Sequence, residues 1–265
     1  MAATQDPQRD GCALVTGAGR GIGAACAKGL AADGWRVGVH FNTNAAGADA
    51  VVEEIRAAGG EAIAVGGDLA DPDALESIFA RLEEAFGPVF VLVNNAGAWS
   101  HRTLGGTKDE HWDPVLDVNL SAPFRAIRRA VPKMLKHRWG RIVNVSSFSA
   151  DMPVAGQSSY TASKGGLEAL TRAVTAEVAR KGVTANTVAP GLIEADYHPK
   201  EFQALIDAAP QLIPAKRAGT AEDVAACVRF LASPGAAYVN GIVLTVDGGL
   251  SASPVPLGML PASTT

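Results

Sequence analysis

Tyr160 and Lys164 lie four residues apart within Ser158–Arg180, a stretch whose apolar residues recur at three- and four-residue steps. Four residues of helix return to the same face, about 6 Å further along the axis. A phenol exchanges protons poorly at neutral pH because its pKa is ~10. An ammonium held ~4 Å away at an effective dielectric of ~20 favours the phenolate by up to ~4 kcal/mol, roughly three pKa units before desolvation is subtracted. A tyrosine so placed can give or take a proton near pH 7. The spacing is common in helices, so its meaning depends on its company.

A glycine turn is the second chemical feature. Thr16-Gly17-Ala18-Gly19-Arg20-Gly21-Ile22-Gly23 follows an apolar run and leads into a helical pattern. Glycines there let backbone amides and a helix N-terminus approach a pyrophosphate, and the helix dipole favours the anion. The spacing is G-x-x-x-G-x-G, with Ile22 standing where the G-x-G-x-x-G fingerprint has its last glycine. In dinucleotide-binding folds an acidic residue ending the second strand binds the adenosine ribose 2′-hydroxyl. Here Phe41, Asn42 and Thr43 follow His40 with no carboxylate. A 2′-phosphate is compatible with Arg20, Asn42 and Thr43, so NADP(H) is favoured over NAD(H), which stays open.

The elements that must position these groups alternate regularly. Apolar runs at Cys12–Thr16, Arg36–His40, Ala62–Val65, Val89–Val93, Arg141–Val145, Val183–Val188 and Ile242–Val246 read as strands. Between them, Gly21–Ala32, Ala46–Ala57, Pro72–Phe86, Trp112–His137, Ser158–Arg180 and Thr220–Leu231 read as helices. This rhythm predicts a parallel sheet with right-handed crossovers, covered on both faces. Asp71–Pro72 reads as an N-cap followed by proline at the first helical position, and Thr220 with Asp223 as a weaker start. Ala189–Pro214 breaks the rhythm with prolines and polar residues and reads as a lid. The expected organisation is an N-terminal extension over 1–10, one domain over 11–250 with its lid near 192–214, and a tail over 251–265.

Composition narrows the function classes. With 265 residues, 48% hydrophobic and 19% charged, the chain can bury a large core and is not disordered. A formal charge of −4, without a long basic block, argues against a nucleic-acid partner. No apolar run approaches the ~18 residues of a membrane span, and the N-terminus lacks a signal-peptide pattern, so a soluble, cytoplasmic protein is expected. Cys12, Cys26 and Cys227 show no metal-ligand spacing, and no metal is expected.

The glycine turn, Asn94-Asn95-Ala96-Gly97, Asn119, Ser147 thirteen residues before the tyrosine, Tyr160-Thr161-Ala162-Ser163-Lys164 and Pro190-Gly191 together closely resemble the short-chain dehydrogenase/reductase family, in order and spacing, over roughly residues 11 to 250. The resemblance implies a single-domain Rossmann-type α/β fold, a doubly wound parallel sheet of about seven strands, usually a homotetramer. It implies that Tyr160 is the general acid, that Lys164 lowers its pKa and holds the nicotinamide ribose, that Ser147 hydrogen-bonds the substrate carbonyl, and that Asn119 supports a water relay. Of the neighbouring serines 146, 149, 158 and 159, the spacing to Tyr160 selects Ser147. Cofactor contacts implied in the same way are Gly17, Gly19, Arg20, Gly21, Ile22, Gly23, Phe41, Asn42, Thr43, Asp68, Leu69, Asn95, Ala96, Gly97, Tyr160, Lys164, Pro190, Gly191 and Ile193. Asn94 resembles a support for the adenosine side, and Asp68 a contact to the adenine amine, its alternative being a turn carboxylate. Ala195 stands where many relatives carry a threonine, which removes a hydrogen bond at the nicotinamide side.

Within that family the chain resembles the 3-oxoacyl-(acyl-carrier-protein) reductases in overall similarity, and the resemblance implies an acyl-thioester or other small ketone as substrate, with acyl carrier protein as a candidate partner. An alcohol, sugar or hydroxysteroid dehydrogenase is the alternative, and a non-catalytic dinucleotide sensor a remote one. Trp99, Ser100, His101, Met152, Val154, Tyr197 and His198 are expected to line the substrate pocket, since they follow strand C-termini. Arg125, Arg128 and Arg129 form either a carrier-protein docking patch or an ordinary solvated helix face.

Overall fold

All seven apolar runs become strands of one sheet. The computed structural model describes residues 7–195 and 200–252. In chain order the strands are β1 (Cys12–Val15), β2 (Val37–Phe41), β3 (Ala62–Gly66), β4 (Val89–Asn94), β5 (Gly140–Val145), β6 (Val183–Pro190) and β7 (Val243–Val246). They lie in the order β3-β2-β1-β4-β5-β6-β7, and every neighbouring pair is parallel. The central strands β1, β4, β5 and β6 are buried along their whole length, which accounts for the apolar runs of β1 and β4, whereas β5 and β6 also bury polar residues such as Asn144, Asn186 and Thr187.

The helices are α1 (Pro7–Asp10), α2 (Gly21–Ala32), α3 (Ala45–Ala57), α4 (Pro72–Phe86), α5 (Asp109–Leu116), α6 (Ala122–His137), α7 (Ser158–Val178), α8 (Lys200–Asp207), α9 (Ala209–Leu212) and α10 (Ala221–Ala232). One layer against the sheet is α3, α2 and α10; the other is α4, α6 and α7. Both expected caps form: Asp71 accepts the amide of Asp73 at 2.9 Å with Pro72 at the first turn, and Thr220 makes a reciprocal capping box with Asp223.

Two expectations change. The single helix read over Trp112–His137 is α5 and α6 joined by a π-helical turn, Asp117–Ser121. Pro114 and Pro123 flank that turn and each removes a backbone donor, so the regular ladder cannot run through. The lid segment is also more regular than its prolines suggest, because it contains α8 and α9. The tail beyond Ala252, and Tyr197 and His198, lie outside the described residues.

The two edges of the sheet differ. At the strands' N-terminal ends, Trp35 stacks on Trp139 with ring centroids 5.5 Å apart, and Phe90 meets Trp139 edge-on at 6.5 Å. This apolar plug closes that edge. At the C-terminal ends, the strand order reverses between β1 and β4, and the loops there diverge to leave a crevice.

Candidate functional site

The glycine turn after β1 is held from three directions. Thr16 Oγ1 accepts the amides of Asn95 and Ala96 at 2.9 and 3.0 Å, and Asn95 Nδ2 donates to the carbonyls of Thr16 and Gly17 at 2.8 and 3.1 Å. Asn44 Nδ2 donates to the Gly19 carbonyl at 3.1 Å. Gly17 sits at φ +63°, a conformation costly for any side chain. A Cβ on Gly23 would collide with the Gly17 carbonyl and lie 2.5 Å from Asn95 Nδ2. Helix α2 begins directly after this turn, and its N-cap, Arg20, supplies no side-chain hydrogen bond to the first amides. Those amides and the dipole behind them form a cradle suited to an anion.

Beside this cradle, Leu69, Asn94, Ala96, Val118 and Ala122 line a narrow apolar cleft that also touches Thr16. Asp68, the exposed neighbour of Leu69, accepts the Ala70 amide with its Oδ1 at 2.9 Å, so it does serve as a turn carboxylate. At the end of β2, the Phe41 ring covers Gly66, and Asn42 and Thr43 are exposed. The Asn94 amide is engaged inside the sheet: its Nδ2 donates to Asn144 Oδ1 at 2.8 Å. Asn144 in turn donates to Thr171, which also receives the Thr187 hydroxyl. This buried polar chain ties β4, β5, β6 and α7 together, and it explains Asn94 as a scaffold residue.

Tyr160 and Lys164 occupy successive turns of α7. Lys164 is buried, and its Nζ lies 5.6 Å from the Tyr160 ring centroid and donates to the Val145 carbonyl at 2.8 Å. Burial pulls its pKa from 10.5 down to about 8. Ser147, just beyond β5, is buried and accepts the Ser149 amide at 3.1 Å while keeping its own hydroxyl proton to donate. The choice between the adjacent serines now has a physical basis. Ser146 Oγ donates to Glu168 Oε1 at 2.7 Å and is consumed in fastening β5 to α7.

Asn119 lies in the π-helical turn, fully buried. Its Oδ1 accepts the Ala98 amide at 2.7 Å, and its Nδ2 donates to the Ala98 carbonyl at 2.8 Å and Ser163 Oγ at 3.0 Å. Ser163 Oγ then donates to the Tyr160 carbonyl at 2.7 Å. The side chain expected to support a water relay is thus a clamp between the β4 loop and the tyrosine helix. Gly97 completes the contact, since a Cβ there would lie 3.5 Å from Asn119 Oδ1 and 3.7 Å from Lys164 Nζ.

At the end of β6, Pro190 and Gly191 pass so close to Asp247 that a Cβ on Gly191 would lie 2.6 Å from that residue's own Cβ. Ile193 bridges to Gly219, anchoring the start of the lid. Beneath the lid, Leu192, Ile206, Ala209, Ile213 and Ala218 form a small separate core against Phe148, the residue after Ser147. His101 packs on Gly156 and the Arg102 amide donates to the Gly156 carbonyl at 2.8 Å, so the β4 loop and the loop before α7 meet, with Trp99 half exposed. A further cleft of about 320 Å³, between Arg217 and Gly249 at the lid's base, includes none of Ser147, Tyr160 and Lys164.

The arginine patch resolves toward structure. Arg129 is chelated by Glu76 and Glu83, and Arg125 donates to the Ala70 carbonyl, leaving Arg128 stacked over Phe124. Sequence reasoning missed His40 altogether. It is a buried polar residue in an apolar strand, a signal visible in Val37-Gly-Val-His-Phe41. Among the described residues, no three His, Cys, Asp or Glu side chains converge as a metal site, and no helix is long and apolar enough to cross a membrane.

A tyrosine and lysine brought beside a strand-end serine, next to a glycine-lined anion cradle on a doubly wound sheet, define a short-chain oxidoreductase, and the chain belongs to the short-chain dehydrogenase/reductase family. A family model described as Enoyl-(Acyl carrier protein) reductase matches residues 17–251. The chain is similar to the 3-oxoacyl-[acyl-carrier-protein] reductase of Synechocystis sp., 43% identical over 241 residues, 90% of this chain and 96% of that protein. It is 41% identical to 3-oxoacyl-[acyl-carrier-protein] reductase FabG of Staphylococcus epidermidis, over 90% and 98% of the two chains. Among solved structures, a putative gluconate dehydrogenase from Agrobacterium tumefaciens superposes with a TM-score of 0.84 and 35% identity, covering 92% of this chain and 96% of that one. The protein is accordingly an oxidoreductase acting on CH–OH or C=O groups.

Proposed function

We propose that this protein is an NADP(H)-dependent reductase of 3-oxoacyl thioesters or closely related ketones. The observation that carries the reading is the buried Lys164 ammonium, 5.6 Å from the Tyr160 ring and on the same helix face. When bound, the nicotinamide supplies a hydride to the substrate's carbonyl carbon. As negative charge grows on the carbonyl oxygen, Tyr160 Oη donates its proton there and Ser147 Oγ donates a hydrogen bond. Lys164 stabilises the phenolate that Tyr160 becomes, through the field of its ammonium. Asn119 and Ser163 hold the tyrosine's turn of helix against the β4 loop, so that donor geometry is set before substrate arrives. The fit of a dinucleotide is supported by the uncapped N-terminus of α2, the positive φ of Gly17 and the absence of room for a Cβ on Gly23.

The exposed Asn42 and Thr43 at the end of β2 favour a 2′-phosphate over a bare ribose, since no carboxylate stands there to repel it. Similarity to 3-oxoacyl reductases over nine tenths of the chain supports the acyl thioester, with acyl carrier protein as its bearer and a homotetramer as the assembly. The likeness to a putative gluconate dehydrogenase supports a second reading, oxidation of a sugar-derived alcohol. Initial rates across acetoacetyl thioesters, quinones, sugars and steroid ketones, each with NADPH and NADH, separate the two. A thioester rate with NADPH far above the rest is expected; preference for a free alcohol with NADP⁺ or NAD⁺ would replace the first reading with the second.

A further inference from the structure

We propose that His40 is the positioning residue that holds the glycine turn in its dinucleotide-binding shape, and that only the neutral imidazole can do so. The inference rests on the reading of that turn as a cofactor cradle. Pairing between β1 and β2 stops at Val15 and Val39. His40 then takes over with both its backbone and its side chain. Its carbonyl accepts the Ala18 amide at 2.7 Å, and Nδ1 accepts the Gly17 amide at 3.1 Å. On the other side of the ring, Nε2 lies 2.9 Å from the Gly67 carbonyl.

These partners allow one tautomer. An amide can only donate and a carbonyl can only accept, so Nδ1 is bare and Nε2 carries the proton. The ring therefore links the turn after β1 to the Gly67-Asp68 turn after β3, the two segments proposed to hold the pyrophosphate and the adenine. It also turns the amides of Gly17 and Ala18 inward, which leaves the later amides of the turn, at the start of α2, to face an anion. A second proton on Nδ1 would set two N–H groups against each other and release Gly17.

Burial accords with this, holding the His40 pKa below 6.5, although the Gly67 hydrogen bond and the nearby Asp68 carboxylate both act in the opposite sense. Asp68 is the charged group whose field reaches the ring from the β3–α4 loop, and the turn itself carries Arg20. On the helices packed over β2 and β3, the charged groups are otherwise engaged or exposed: Lys28 of α2 pairs with Glu54 of α3, Arg56 with Glu53, Glu76 of α4 with Arg129, Glu83 with Arg129 and Lys133, Arg81 donates to the Ala64 carbonyl, and Glu84 is exposed. Asp49 and Asp73 are exposed.

The test is a fluorescence titration with NADPH from pH 8 to pH 5, on the full chain and on His40→Asn. Asparagine places its Oδ1 near the Nδ1 position, so the Gly17 bond survives at every pH. The 2′-phosphate of NADPH titrates equally against both chains and cancels in the ratio of their Kd values. That ratio should be flat above pH 6.5 and should climb in the acid range, by up to about tenfold per pH unit once His40 is protonated. A ratio that stays constant across the pH range in which NMR of the same ring shows His40 taking up its second proton would overturn the proposal. Nitrogen-15 NMR of the wild-type imidazoles at pH 7.5, with His40 assigned by the signal missing from His40→Asn or His40→Gln, should show a neutral ring protonated at Nε2; a ring protonated at Nδ1 would also overturn it. Absence of NADPH binding by both chains at pH 8 would refute the cofactor reading instead, and the NMR result would still decide the state of His40.

Discussion

Replacing Lys164 by methionine separates what this side chain costs the fold from what it gives the chemistry. The ammonium is buried, and a fall in pKa from 10.5 to about 8 means that the folded state disfavours the charge by roughly 3 kcal/mol. Methionine has similar length and no charge to desolvate, but it leaves the Val145 carbonyl without its donor, a loss of about 1–3 kcal/mol. At pH 7 the two effects nearly offset, so Lys164→Met should be as stable as the parent or up to about 2 kcal/mol more stable. The pH dependence is sharper. Between pH 8 and 10.5 the unfolded lysine holds its proton more firmly than the folded one, so the stability of the lysine-bearing chain rises with pH across this window. Relative to the methionine variant it should regain roughly 2.5 kcal/mol between pH 7 and pH 10. Urea unfolding of both chains at four pH values measures this, with Tyr160→Phe in each background so that the phenol does not titrate. A stability difference that stays constant from pH 7 to 10 would refute the claim that Lys164 is a strained, desolvated cation.

The two adjacent serines should respond oppositely to alanine. Ser147→Ala should lower kcat for ketone reduction by about 10²–10³ with little change in stability, whereas Ser146→Ala should cost about 1–3 kcal/mol in unfolding free energy by orphaning Glu168 and leave kcat within a few-fold. Gly23→Ala should weaken NADPH binding at least about tenfold and destabilise the fold by about 1–3 kcal/mol, because the new methyl meets the Gly17 carbonyl, as fluorescence titration and thermal unfolding would show.

Most of the sheet was legible because β1 and β4 are buried on both faces and almost wholly apolar, while β5 and β6 keep enough valine, isoleucine and alanine around their buried polar residues, such as Asn144 and Thr187, to read as strands. Helices with chemical boundaries, such as Pro72–Phe86 after Asp71, were legible to the residue. What failed was read through proline. Proline signalled loop in the lid, where α8 and α9 form around it, and failed to signal the π-helical break between α5 and α6, because local periodicity continues through that turn. At the site, residue types and order pointed to Tyr160, Lys164, Ser147 and Asn119, but the partners were not readable. That Asn119 spends its amide on Ala98 and Ser163, or that Ser146 answers Glu168, depends on contacts 20 to 45 residues apart in the chain. His40 escaped for the same reason, since both partners of its ring lie on neighbouring strands' loops.

In the proposed mechanism, Tyr160 delivers the proton while hydride reaches the carbonyl carbon. Tyr160→Phe removes one hydroxyl and keeps the ring over Lys164. NADPH oxidation with an acetoacetyl thioester, measured beside NADPH binding on the same protein, tests the claim most directly. Binding within a few-fold of the parent, with turnover reduced by about 10²–10⁴, is the predicted result. Parental turnover in Tyr160→Phe, with NADPH still bound, would contradict it.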